Sequence, residues 1–174
     1  MSLREFLKDQ QAGAAAEKAK AGEVRAKWRA SLEKLVDQIR QCLLPLIEEK
    51  LVYVSAEQMR VDEEWLGPYE AQALTISAGP GKVQVRPVGR AIFGAKGRVD
   101  MFADSRPEKV YIFTLSEDEA SWLIIPPRDT GAGWDHGKAK PLSREALEEA
   151  LEDLLKAADP AVRVTARPQR PTGR

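Results

Sequence analysis

The chain has little of what metal or thiol chemistry draws on. It holds one cysteine, Cys42, and one histidine, His136. A single thiol excludes an intramolecular disulfide framework and fits a reducing compartment. Zinc sites use several His or Cys, and here one of each stands far apart in sequence. No charge of one sign prevails: 27 Lys and Arg face 27 Asp and Glu. That argues against a surface given over to nucleic acid or membrane, and leaves room for a local basic patch. No apolar run approaches the ~20 residues of a membrane span. Met1 to Gln11 is charged and has no signal-peptide core. The expectation is a soluble cytoplasmic protein without a membrane partner. Internal repeats are absent, and no motif calls for a cofactor. At 174 residues one domain with a sizeable core is the default.

What is present is a strand-rich centre, Tyr69 to Pro127, between helices. Leu74, Ile76 and Ala78 alternate with Ala73, Thr75 and Ser77; after Gly79-Pro80-Gly81, Val83 and Val85 alternate with Lys82, Gln84 and Arg86. Such alternation marks strands with one wet face. Pairing Ala78 with Val83 and Ile76 with Val85 keeps the apolar residues together, in a hairpin closed around Pro80-Gly81. Pro87 marks an edge, a bulge or a strand end. Ala91 to Phe93 leads into a second turn, Gly94 to Gly97, and the returning strand has Val99 and Met101 on one face. Val110 to Leu115 and Trp122 to Ile125 are nearly all apolar. Strands of that kind are buried on both faces, and helices are the expected cover for the second face. Leu51 to Val54 is either a short strand or the tail of a helix, and Gln58 to Trp65 reads as a further strand.

Ser2-Leu3-Arg4-Glu5 fits a capping box that starts a helix at Leu3. Asp9 to Gly22 is rich in Ala, Lys, Glu and Gln and has little to bury, so it reads as a poorly anchored helix or a flexible arm. From Val24 a stripe emerges: Val24, Trp28, Leu32, Leu35, Ile39, Cys42 and Leu46. It has two readings, an amphipathic helix packed on its own sheet or a seam for self-association. Pro45 should kink or end the helix. Near the other terminus, Ser143 caps a helix whose apolar face is Leu147, Ala150, Leu151, Leu154 and Leu155. Its wet face is Glu148, Glu149, Glu152 and Asp153, and Asp159-Pro160 stops it. The organisation expected is a helical arm over residues 1–50, a β domain with its capping helix over 51–159, and a basic, proline-containing tail over 160–174.

The fold class is therefore α+β: a long N-terminal helix, an antiparallel sheet of about six strands, open or barrel-like, and a C-terminal helix on the sheet. This order of elements is similar to that of pleckstrin-homology-like modules. The similarity is one of order alone and carries no function.

Candidate chemistry is sparse. The loop Gly131 to Lys138 contains Gly-Lys, but Ala132 and Ala139 stand where a phosphate-binding loop needs Gly and Ser or Thr. The same loop carries Trp134, Asp135 and His136, candidates for partner contact or a solvated turn. Asp100, in Gly97-Arg-Val-Asp100, resembles the first acid of metal-dependent nucleases of the restriction-endonuclease type. The following strand, Tyr111 to Leu115, holds neither the acid nor the lysine that would complete that site. The plain alternative is that Asp100 pairs with Arg86, Arg90 or Arg98.

Three functions remain in view. The first is a non-enzymatic interaction or assembly module, with a protein partner or a second copy meeting the N-terminal helix at Trp28, Leu32, Leu35 and Ile39, or the loop at Trp134, Asp135 and His136. The second is a small metal-dependent hydrolase using Asp100 with Glu63, Glu64 or Glu70. The third is weak nucleic-acid binding through the arginines between Pro87 and Arg98 and in the tail.

Overall fold

Residues 2–90 and 96–157 are described by a computed structural model. The Ala91 to Phe93 segment, the Asp159-Pro160 stop and the basic tail lie outside the described residues. Helix α1 spans Leu3–Glu48. It starts with the expected capping box: the Glu5 amide donates to Ser2 Oγ, and Glu5 Oε2 accepts from the Ser2 amide at 2.7 Å. It runs through Pro45 instead of ending there. Pro45 removes only the bond to the Gln41 carbonyl, and Leu46 and Ile47 beyond it pack partly against the core. The helix closes at Lys50, whose φ is +59°. The Leu51 amide donates to the Leu46 carbonyl and the Lys50 amide to that of Ile47, the paired bonds of a Schellman cap.

Seven strands follow in one antiparallel sheet: β1 (Val52–Glu63), β2 (Gly67–Ala78), β3 (Gly81–Gly89), β4 (Arg98–Ala103), β5 (Arg106–Leu115), β6 (Trp122–Ile125) and β7 (Lys140–Pro141). Their spatial order is their chain order, so the sheet is open. The two segments expected before Tyr69 are one strand, β1. The seventh strand, β7, has two residues and follows a three-residue 3₁₀ turn at His136–Lys138. Helix α2 (Arg144–Ala157) ends the described chain. Its Ala146 amide donates to Ser143 Oγ, as the cap predicts.

The β2–β3 hairpin differs from expectation by two residues. Ile76 faces Val83 and Leu74 faces Val85. The turn is Gly79-Pro80, with the positive φ at Gly79, +54°, and not at Gly81. A shift of two keeps every side chain on its face, so alternation could not choose between the registers; the two-residue turn did. At Pro87 the β3–β4 register slips, the bulge that proline marks.

One face of the sheet packs on both helices. Trp28, Leu32, Leu35, Val36, Ile39 and Leu43 of α1 share a single core with Leu74, Ile76, Val83, Val85, Val99, Met101 and Phe113, and with Leu147, Ala150, Leu151 and Leu154 of α2. Midway along β2 the buried side changes: Tyr69, Ala71 and Ala73, then Leu74 and Ile76. The β2–β3 ladder stops at Leu74, so beyond it β1 and β2 form a two-stranded ribbon. Such ribbons twist strongly, and this one turns Val61, Tyr69 and Ala71 into the core.

The second face differs among the described residues. Ile112 and Ile125 are buried but stand outside the core cluster that α1 and α2 share, and the loop after β6 reaches this side of the sheet. Trp134 bridges to Pro127, donates from its indole N–H to the Val110 carbonyl at 3.0 Å, and stacks with its ring centroid 4.4 Å from Arg98 Cζ. An indole combines large apolar area with one donor and a cation-attracting face, so one side chain fastens the loop to β4 and β5.

Candidate functional site

Trp28 decides how α1 is seated. Its ring lies 5.8 Å from that of Trp122, against the backbone of Gly97, where a Cβ would come within 2.4 Å of the ring. Gly97, with φ +80°, is the glycine of the Gly-x-x-Asp stretch, and its role is to admit the indole. The Trp28 N–H donates to Tyr69 Oη at 2.9 Å, and that hydroxyl donates to Glu63 Oε1 at 2.6 Å. Glu63 Oε1 also accepts from the Arg90 amide. Burial first, then the Glu63 carboxylate, pushes the Tyr69 phenol well above its ordinary value. Helix, ribbon and the end of β3 are tied by this one buried chain.

Seated there, α1 leaves the sheet. Every residue from Ser2 to Lys20 is exposed, a projection of roughly 27 Å at 1.5 Å per residue. At its tip Leu3, Phe6 and Leu7 are 72%, 48% and 49% exposed. Spaced i, i+3 and i+4, they share one face of the helix. At 100° per residue, Arg4 and Lys8 flank that face on one side, and Glu5 and Asp9 flank it on the other. The Ser2 backbone and hydroxyl bonds hold the Glu5 carboxyl below its ordinary value.

An apolar groove of about 660 Å³ opens between the C-terminal end of α1, the β2–β3 hairpin and α2. Leu46, Ile76, Pro80, Leu151 and Leu155 line it, and Glu148 and Glu152 stand on its α2 side. The two glutamates pair within their own helix, with Arg144 and Lys156, in solvent-exposed contacts. Beside the groove, Leu51 and Tyr53 are exposed, the latter on the edge strand β1.

The residues singled out from sequence divide sharply. Trp28, Leu32, Leu35 and Ile39 are at most 4% exposed, so on this chain they form the seat of α1 on its own sheet and offer no free seam. Asp100 has both oxygens on the Arg98 guanidinium, at 2.6 and 2.8 Å. Arg86, its neighbour across the strands, turns instead to Glu57 and Gln84. Through Arg98 the structure brings Asp100 to Trp134, two residues the sequence treated separately. Among the described residues no three His, Cys, Asp or Glu side chains group as a metal site. Asp135 accepts from the Gly137 amide, and His136 is exposed on the 3₁₀ turn. Cys42 is half-buried beside the core, and burial raises its thiol pKa.

One polar cluster escaped the sequence reading. Asp153, on the nominally wet face of α2, accepts from Lys109 and from Tyr111, both at 2.6 Å. Burial opposes ionisation of Asp153, yet these two donors hold its pKa below the ordinary value. Burial and Asp153 together raise the Tyr111 phenol. The cluster pins α2 to β5.

No family model matches the chain, and no curated protein or solved structure matches it. Among the described residues no helix is long and apolar enough to cross a membrane. The tip of α1 and the groove can each hold an apolar partner, and neither carries a set of reacting groups. Leu3, Phe6 and Leu7 were open to sequence reasoning through their helical spacing; the groove was not, because three elements distant in sequence build it.

Proposed function

We propose that the chain is a non-enzymatic interaction or assembly module whose working part is the free half of α1. One observation carries this reading: a helix continuous with the core runs from Lys20 to Leu3 with every residue exposed, and ends in three large apolar side chains. A helix that buries nothing adds little to the stability of its own domain. An apolar triad at i, i+3 and i+4 is the pattern by which amphipathic helices anchor in grooves. The partner is a protein with an apolar cleft.

The test places a photo-crosslinking phenylalanine analogue at position 6 of the full chain, in cells that make it, with position 12 on the opposite helix face as the comparison. A discrete protein adduct from position 6 that position 12 does not give is the expected result. No adduct, or equal adducts from both positions, overturns the reading.

A further inference from the structure

We infer that the partner for the helix tip is a second copy of this chain, which receives Leu3, Phe6 and Leu7 in the groove between its α2 and its β2–β3 hairpin. The inference rests on the interaction-module reading and names its occupant. The helix tip and the groove are complementary in kind. One is a narrow convex helix end with its side chains outward; the other is a concave apolar channel walled by Leu46, Pro80, Leu151 and Leu155.

Charge fits as well as shape. Arg4 and Lys8 lie four residues apart beside the apolar triad, and Glu148 and Glu152 lie four residues apart on the α2 wall. On a helix each such spacing is about one turn. A helix laid along α2 thus sets two cations against two carboxylates over the length of the three apolar anchors, in exchange for their exposed pairs with Arg144 and with Lys156, which also lines the groove. The arm projects from the domain, so the tip reaches past its own domain and into that of a neighbour. The contact is heterologous: tip and groove are different surfaces. It closes as a reciprocal pair or a ring, or runs on as a chain.

The experiment measures solution mass of the full chain across concentration, together with designed variants. The intact chain should associate at concentrations on the order of 10 to 100 µM, as a contact below standard interface size would. Phe6→Asp with Leu7→Asp should leave a monomer, and these exposed positions cannot unfold the core. Leu155→Lys, or Ala78→Arg on the sheet wall, should also leave a monomer, with melting curves checking that each folds. Mixing the tip variant with either groove variant should restore a two-chain species, because one intact tip then meets one intact groove. Reversing the charges with Arg4→Glu and Lys8→Glu should weaken association about tenfold, and adding Glu148→Lys and Glu152→Lys should recover it.

A chain that stays monomeric up to roughly 1 mM, association that survives the tip variant or both groove variants, or a mixture that stays monomeric overturns the inference. An adduct from position 6 to a different protein, with no recovery on mixing, removes the second copy as partner and leaves the interaction reading standing.

Discussion

The two halves of α1 share one unbroken backbone and have opposite fates. Residues 21–48 place Trp28, Leu32, Leu35, Val36, Ile39 and Leu43 in the core. Residues 3–20 carry three large apolar side chains, all at the tip, and bury none. The difference teaches what keeps each half helical. The inner half is held by tertiary packing. The outer half rests on Ala, Glu, Lys and Gln, good helix formers, and on propagation from a turn already nucleated, which costs far less than a new start. Gly13 weakens it by roughly 1 kcal/mol relative to alanine.

The comparison breaks most visibly at Gly97. Gly97→Ala places a methyl 2.4 Å from the Trp28 ring, on a backbone with φ +80°. The indole must leave its seat, and the expected loss is about 3–5 kcal/mol, the range for deleting a large core aromatic. Urea unfolding measures it; a loss below about 1 kcal/mol would mean that Trp28 does not seat the inner half.

Tyr69→Phe acts next. It leaves the buried Trp28 indole N–H without its acceptor and removes one donor to Glu63, and should cost about 1–3 kcal/mol at neutral pH. Its pH dependence has a definite sign. The folded pKa of Tyr69 is raised, so below the unfolded value of about 10 its contribution is fully present. It declines as pH rises from there through the higher folded value, since only the unfolded chain releases the proton. Tyr111 is raised in the same way. Denaturation series from pH 8 to 11 should therefore show stability falling above pH 10, less steeply in Tyr69→Phe. An unchanged slope removes Tyr69 from the buried chain of hydrogen bonds.

The smallest effect is expected from the exposed arm. Deleting residues 1–20 should change unfolding free energy by less than ~0.5 kcal/mol, while the helical signal in far-ultraviolet circular dichroism drops by the arm's share. A loss above about 1 kcal/mol would show that the arm packs on its own domain, and the contrast between the halves would fall.

Legibility followed the range of the interaction. The Ser2–Glu5 box, the Ser143 cap, the stripe from Trp28 to Ile39, the bulge at Pro87 and the alternation of Val99 and Met101 are set by neighbours within a few residues, and each has a visible spacing. The β2–β3 register was readable only to within two residues, because both registers keep the same faces. The arm was seen as thinly anchored, but its tip was passed over, since three apolar residues in a first turn make too short a pattern to weigh.

By itself, then, the sequence determined both helices and their N-terminal caps, the strand-rich centre between them and which side of most strands is apolar; it left Leu51 to Val54 open between strand and helix, and it placed the β2–β3 turn one residue late. Only the tertiary structure decided that α1 packs its stripe on its own sheet, that Trp134 ties the loop after β6 to Val110 and Arg98, that Asp100 is bound to Arg98, and that Asp153 joins Lys109 and Tyr111. The physical reason is that propensity and periodicity act along the chain and leave the partner of each face open. Choosing among partners takes the summed packing of surfaces far apart in sequence, as when the Gly97 backbone makes room for Trp28.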